Sequence, residues 1–144
     1  MNAPDLAYEQ FDEPPDAVLQ AIDAGLESHN RAAAPIGDVR PLAVTAVLSS
    51  GAIIGGAVGR TWGACCELLQ LWVHPDHRRA GTASRLLLQF EAMGAARGCQ
   101  TFYLTTLSYQ APEFYRKRGY SALAEISGYP DGIIKYLMHK SAVS

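Results

Sequence analysis

A chain of 144 residues, 49% of them hydrophobic and 18% charged, is long enough for one domain with a buried core and is not the composition of a disordered polypeptide. Its apolar runs fall well short of the ~20 residues that a membrane helix needs, and its three cysteines, Cys65, Cys66 and Cys99, show neither the number of a disulfide framework nor the C-x-x-C spacing of a zinc site. The net charge of −2 excludes a general attraction to nucleic acid, although residues 1–30 carry seven acids and no Lys or Arg while residues 31–144 carry all twelve basic residues and seven acids.

The first segment, MNAPDLAYEQFDEPPD, is acidic and lacks the basic start and apolar core of a signal peptide, which predicts a cytoplasmic protein. Within it LAYEQF, Leu6 to Phe11, predicts a short first strand. Ala17, Val18, Ala21, Ile22 and Leu26 then recur at helical spacing, predicting a helix that begins near Pro15 and ends before Pro35 and Gly37. The β-branched stretch from Arg40 to Thr61, broken by Ser49-Ser50-Gly51, predicts a hairpin of two strands, with Gly55 and Gly56 marking a bulge or a close backbone approach. CELLQLWV, Cys66 to Val73, predicts a further strand that Pro75 stops.

Ala83, Leu86, Leu87, Phe90 and Met93 predict a helix that Gly98 ends, followed by a strand from Thr101 to Leu107. Gln110 to Gly119 predicts a short helix with Pro112 in its first turn, and YSALAEI and GIIKYLMHK predict two closing strands. No linker, repeat or low-complexity segment interrupts this order. The expectation is a single α/β domain spanning residues 1–144, with a mixed sheet between helices.

The chemistry concentrates in HPDHRRAGTASRLL, His74 to Leu87. It lies between a strand end and a helix start, where the first helical N–H groups lack partners and the helix dipole leaves positive charge. Gly81 lets the backbone approach a ligand, Ala80 and Ala83 add no bulk, and Arg78 and Arg79 add charge, so a phosphate or pyrophosphate suits the turn. On this segment alone an ordinary solvated turn is equally open. A metal site from His74, Asp76 and His77 is disfavoured by the intervening proline and by the lack of a further ligand. No G-x-x-x-x-G-K-[ST] or G-x-S-x-G occurs, which disfavours a P-loop and a nucleophile elbow. Trp62, Trp72, Tyr103 and Tyr109 suit a core or pocket wall better than a base-stacking platform.

VHPDHRRAGTAS resembles the GNAT superfamily of N-acetyltransferases, in which a strand is followed by Arg or Gln, two residues, Gly, one residue, then Gly or Ala; here these are Arg78, Gly81 and Ala83. SYQAPEFYRKRGY, Ser108 to Tyr120, is similar to the superfamily's last segment, where a helix carries Tyr before a closing Gly-Tyr or Gly-Phe. The tail SGYPDGIIKYLMHK is similar to a bacterial small-molecule-type branch whose members often have His where Ile133 stands here.

The resemblance implies a mostly antiparallel central sheet flanked by helices, with acyl-CoA in a splay between two parallel strands. It implies acetyl-CoA as co-substrate, its pyrophosphate met by the backbone of Arg78, Arg79, Ala80, Gly81, Thr82, Ala83 and Ser84. Its pantetheine arm would run beside Leu71, Trp72 and Val73, near Ser108, which stands where many relatives have Asn. Tyr115 is then the candidate acid for the departing thiolate, against the plainer reading of a half-buried core tyrosine beside Phe114. Glu67, directly or through a water, is the candidate base for the amine, against the equal alternative of a strand carboxylate bordering water.

The acceptor would be a primary amine on a small molecule. The acidic charge in and around Pro15 to Gly37, expected to wall its pocket, points to a cationic one. Neither nucleic acid nor membrane is an expected partner; self-association as a homodimer is left open, although the resemblance brings it into view because paired chains are common in that superfamily. A non-catalytic acyl-CoA-binding sensor or partner module is the alternative in another class.

Overall fold

The computed structural model describes residues 5–142, and the chain resolves into two compact units, one up to Gly37 and one from Asp38. In the first unit the helix α1 spans Asp16–Ala33, with Pro15 extended at its N-cap. Leu19, Ile22 and Leu26 recur along it as an exposed apolar stripe. The strand expected over Leu6 to Phe11 is absent: these residues have no regular secondary structure and are exposed. Local apolar alternation cannot hold a strand, because its backbone groups need a ladder partner and even a two-stranded ribbon is marginal in water.

The second unit carries a six-stranded sheet: β1 (Arg40–Val47), β2 (Ile53–Trp62), β3 (Cys65–Val73), β4 (Thr101–Leu107), β5 (Ser121–Ile126) and β6 (Lys135–Ser141). Its order is β1-β2-β3-β4-β6-β5. Every neighbouring pair is antiparallel except β3 and β4, which run parallel as the crossover through a helix requires. That helix, α2, spans Thr82–Ala96 and buries Leu86, Leu87, Phe90 and Gly94. The last helix, α3, is confined to Pro112–Arg116, shorter than its sequence suggests. Gln110 is drawn out of it because its Oε1 accepts from Leu107 N–H at 2.8 Å, closing the end of β4 instead.

Register sorts the side chains between the two faces. Thr61, Cys66, Phe102 and Lys140 lie in one row across the sheet, and Cys66 and Phe102 join Phe90 of α2 in the core. The adjacent row, Arg60, Glu67, Tyr103 and His139, therefore faces away from α2. Three bulges interrupt the ladders, one of them on β5, where Ala122 pairs with Met138 and Ala124 with Leu137 and Leu123 is left extra. Ala46 pairs with Gly55 and Val47 with Ile53, which leaves Ile54 extra beside the expected irregularity at Gly55. Gly59 pairs with Leu68 and Val58 with Gln70, which leaves Leu69 extra on β3. A Cβ at Gly59 would stand 2.0 Å from Glu67 O and 2.5 Å from Phe90 Cζ, so only glycine lets α2 press this close.

Arg97 fastens the C-terminal end of α2 to the sheet. Its Nη1 donates to Arg40 O at 3.2 Å and to the buried Thr61 Oγ1 at 3.1 Å, and its Nη2 donates to Pro41 O at 3.1 Å. Near the middle of α2, Glu91 Oε2 accepts from Tyr120 Oη at 2.8 Å and from Lys140 Nζ at 3.1 Å, tying the helix to β6. No helix among the described residues is long and apolar enough to cross a membrane.

Candidate active site

The ladder between β3 and β4 runs from Cys65↔Thr101 to Leu68↔Leu104 and stops, although β3 continues to Val73 and β4 to Leu107. It stops where Leu69 is bulged, and a bulge bends its strand and adds twist. The two strands splay beyond that point. Between them opens a cleft of about 820 Å³, walled by Leu71, Trp72 and Val73 of β3, by Thr105 and Thr106 of β4, and by Phe114 and Tyr115 of α3. Along this part of β3 the backbone edge facing β4 has no ladder partner and can bond a guest instead.

At one end of the cleft stands the turn between β3 and α2. Arg78 lines the cleft and its Nε donates to Val73 O at 2.9 Å, which fixes the guanidinium against the strand end. Arg79 and Gly81 both take left-handed backbone, at φ 66 and φ 78. For Gly81 this carries no penalty, but for Arg79 it stores about 1 kcal/mol of strain of the kind that gathers at ligand sites. Helix α2 begins with no acidic residue in its first turn and no side-chain cap. The N–H groups of Thr82, Ala83 and Ser84 precede its first internal bond, Arg85 N–H to Gly81 O at 3.1 Å. The result is a concentration of positive charge and open donors.

Tyr115 is buried, 7% exposed, and its ring edge packs on Phe114 and Tyr120. Its hydroxyl has no hydrogen-bond partner among the described residues, yet none of their buried side-chain nitrogens or oxygens is orphaned, so Oη meets the cleft that the residue lines. Burial alone pushes the phenol up to about 12. Such a group keeps its proton throughout the neutral range.

The remaining predicted residues are placed unevenly. Ala83 lines the cleft beside Arg78, whereas Thr82 faces a separate groove of about 240 Å³ between α2 and β1. Ser84 Oγ accepts from Arg118 Nε at 3.0 Å. Ser108 lies outside the cleft lining and is tied to the start of β6, where its Oγ accepts from Ile134 N–H at 3.0 Å; one hydroxyl proton is left to give. Glu67 is also outside the lining. It sits on the face away from α2, and its Oε1 accepts from Arg60 Nε at 2.9 Å. The bulge at Leu69 is why its alternation with Leu69 and Leu71 could not assign that face.

Sequence reasoning missed Thr106 and Gln110, which shape the cleft wall, and Arg118, whose only signal was one more basic residue on a short helix. Arg97, at the C-terminal end of α2, was missed because in the sequence it reads as a lone surface charge. Cys66 is buried and its thiol is pushed up to about 12 by that burial, a small core side chain rather than a nucleophile.

The sequence profile of the acetyltransferase (GNAT) family matches residues 6–120. A blasticidin-S acetyltransferase of Streptomyces morookaense is 36% identical over 110 residues, which cover 74% of this chain and 81% of that protein. Among solved structures, a candidate acetyltransferase from Agrobacterium tumefaciens has a TM-score of 0.83 at 25% identity, covering 94% of this chain and 99% of that one. A candidate streptothricin acetyltransferase from Bacillus anthracis, crystallised in complex with acetyl coenzyme A, has a TM-score of 0.63 at 19% identity, covering 72% of this chain and 64% of that one. The chain belongs to the GNAT family of acetyltransferases. It is accordingly an acyl-CoA-dependent N-acyltransferase, with acetyl-CoA as its co-substrate.

Proposed function

We propose that the chain transfers the acetyl group of acetyl-CoA to a primary amine on a small molecule by direct attack in a ternary complex. The observation that carries this reading is the splay itself. An open strand edge leads from a turn rich in positive charge to a protonated, cleft-facing phenol. The turn suits a pyrophosphate, the strand edge suits the amides of a pantetheine arm, and both are chemical fits to acetyl-CoA. The backbone from Arg78 to Ser84 would hold the diphosphate, and Leu71 to Val73 would flank the arm.

In the reaction the amine nitrogen bonds to the thioester carbonyl carbon and the carbon–sulfur bond breaks. A backbone N–H on the open edge between Leu71 and Val73 donates to the carbonyl oxygen as it gains charge. Tyr115 gives its proton to the departing thiolate and regains one from solvent. Glu67 takes the amine's proton, and its pairing with Arg60 on the face away from α2 favours doing so through an intervening water. Acid and base thus approach the splay from opposite faces of the sheet.

For the acceptor, the acidic balance of residues 1–30 supports a cationic amine. The name of the Streptomyces relative adds blasticidin S to the acceptors worth testing. Thiol release from acetyl-CoA is to be followed against polyamines, amino acids, other small amines, N-terminal peptides and blasticidin S. Release that depends on a small cationic amine is the expected result. A best acceptor that is anionic would overturn the charge argument, and tight binding of acetyl-CoA without release by any amine would favour a non-catalytic acyl-CoA-binding module.

A further inference from the structure

Arg118 follows α3 and reaches back to the start of α2. Its Nε and Nη2 both donate to Ser84 Oγ, the former at 3.0 Å, and its Nη1 donates to Phe114 O at 2.8 Å. Its guanidinium lies 3.7 Å from the centroid of the Phe114 ring, and that ring stands edge-on to Tyr115 at 5.1 Å between centroids. A cation placed against a helix N-terminus opposes the dipole, and Arg78 and Arg79 add to the same charge. The arrangement gains if an anion sits at the turn. Because Arg118 supplies donors to Ser84 Oγ, the serine's own proton is directed to an acceptor elsewhere, and the nearest electrostatic pole calls for an anionic one.

We propose that Arg118 is a positioning residue joining the two working ends of the acyl-CoA site. Through Ser84 it makes the start of α2 a stronger donor to the phosphates of the co-substrate, and through Phe114 it braces the ring against which Tyr115 is set. The inference rests on the placement of acetyl-CoA proposed above and gives a role to a residue of the second segment that the resemblance left without one.

The test compares acetyl-CoA with S-acetylpantetheine, which keeps the thioester and lacks the phosphates. Ser84→Ala should weaken acetyl-CoA binding about tenfold, the usual effect of losing a hydrogen bond to a charged group. Arg118→Ala should weaken it at least as much and also lower kcat severalfold, because Tyr115 loses its brace. The double variant should bind within about twofold of the weaker single variant, since the serine acts together with the arginine. Use of S-acetylpantetheine should keep its KM in all three variants.

Unchanged acetyl-CoA affinity in Arg118→Ala, independent losses that multiply in the double variant, or an equal rise in KM for S-acetylpantetheine would each overturn the proposal. If Arg118→Ala does not fold, Ser84→Ala alone decides: a loss specific to acetyl-CoA supports the proposal and no loss defeats it. Failure of the wild-type chain to bind acetyl-CoA would instead defeat the underlying placement, so the two failures are distinguishable.

Discussion

The two ends of α2 are each fastened by an arginine, and the fastenings stand in opposite relation to the helix dipole. At the C-terminal end Arg97 meets negative partial charge and is surrounded by acceptors: Arg40 O, Pro41 O and Thr61 Oγ1. At the N-terminal end Arg118 meets positive partial charge, joins Arg78 and Arg79, and finds one hydroxyl and one carbonyl. The first arrangement is complete within the protein. The second sets like charges against the dipole, and the phosphates of the proposed co-substrate placement would offset them. The same residue type thus does structural work at one end of a helix and ligand work at the other, with the dipole deciding which.

The sharpest break between chemistry and scaffold is Tyr115→Phe. Removing a positioned acid should lower kcat by ~10²–10⁴ while the acetyl-CoA affinity stays near that of wild type, as steady-state rates and a binding titration would show. At the opposite end of α2, Arg97→Ala should lower unfolding stability by about 1–2 kcal/mol, since it orphans the buried Thr61 hydroxyl as well as losing charged donors. Chemical denaturation reads that loss, and acetyl-CoA affinity should be spared. A loss of affinity without a loss of stability would erase the contrast between the two ends.

Gly81→Ala should be milder. Nothing lies within 4 Å of the added Cβ, but φ 78 strains any L side chain by about 1 kcal/mol, which corresponds to roughly a fivefold weaker hold on acetyl-CoA if the turn relaxes. The pH profile should show no effect from the tyrosine in the ordinary range. With its phenol pushed up to about 12, Tyr115 stays protonated as pH rises from 7 to 10, so kcat should not decline there through loss of the acid. A decline with an apparent pKa near 9 that disappears in Tyr115→Phe would contradict the burial argument. Smallest of all, a thiol reagent on the folded protein should label Cys65, which is exposed, and spare Cys66 and Cys99, as peptide mass mapping would reveal.

Much of this frame was legible because helices and strands write different periods. Ala83, Leu86, Leu87 and Phe90 announce α2, and the run from Thr101 to Leu107 coincides with β4. The turn of Arg78 and Gly81 was legible as a strand-to-helix junction because Pro75 stops β3 and the helical period begins at Ala83. What stayed hidden depends on partners distant in the chain. Leu6 to Phe11 has the alternation of a strand and no ladder. The bulge at Leu69 exists only in relation to β2, and it decides both where β3 leaves β4 and which face Glu67 occupies. Arg118 and Arg97 could not be told from surface charges until Ser84 in one case and Thr61 in the other stood beside them.

The measurement closest to the central claim is amide hydrogen exchange of the wild-type chain with and without coenzyme A. Residues 69–73, 78–85 and 104–111 should gain protection, with the end of α2 around Arg97 unchanged. Protection concentrated in the smaller groove between α2 and β1, or none along the open edge of β3, would contradict the placement of the acyl-CoA site in the splay.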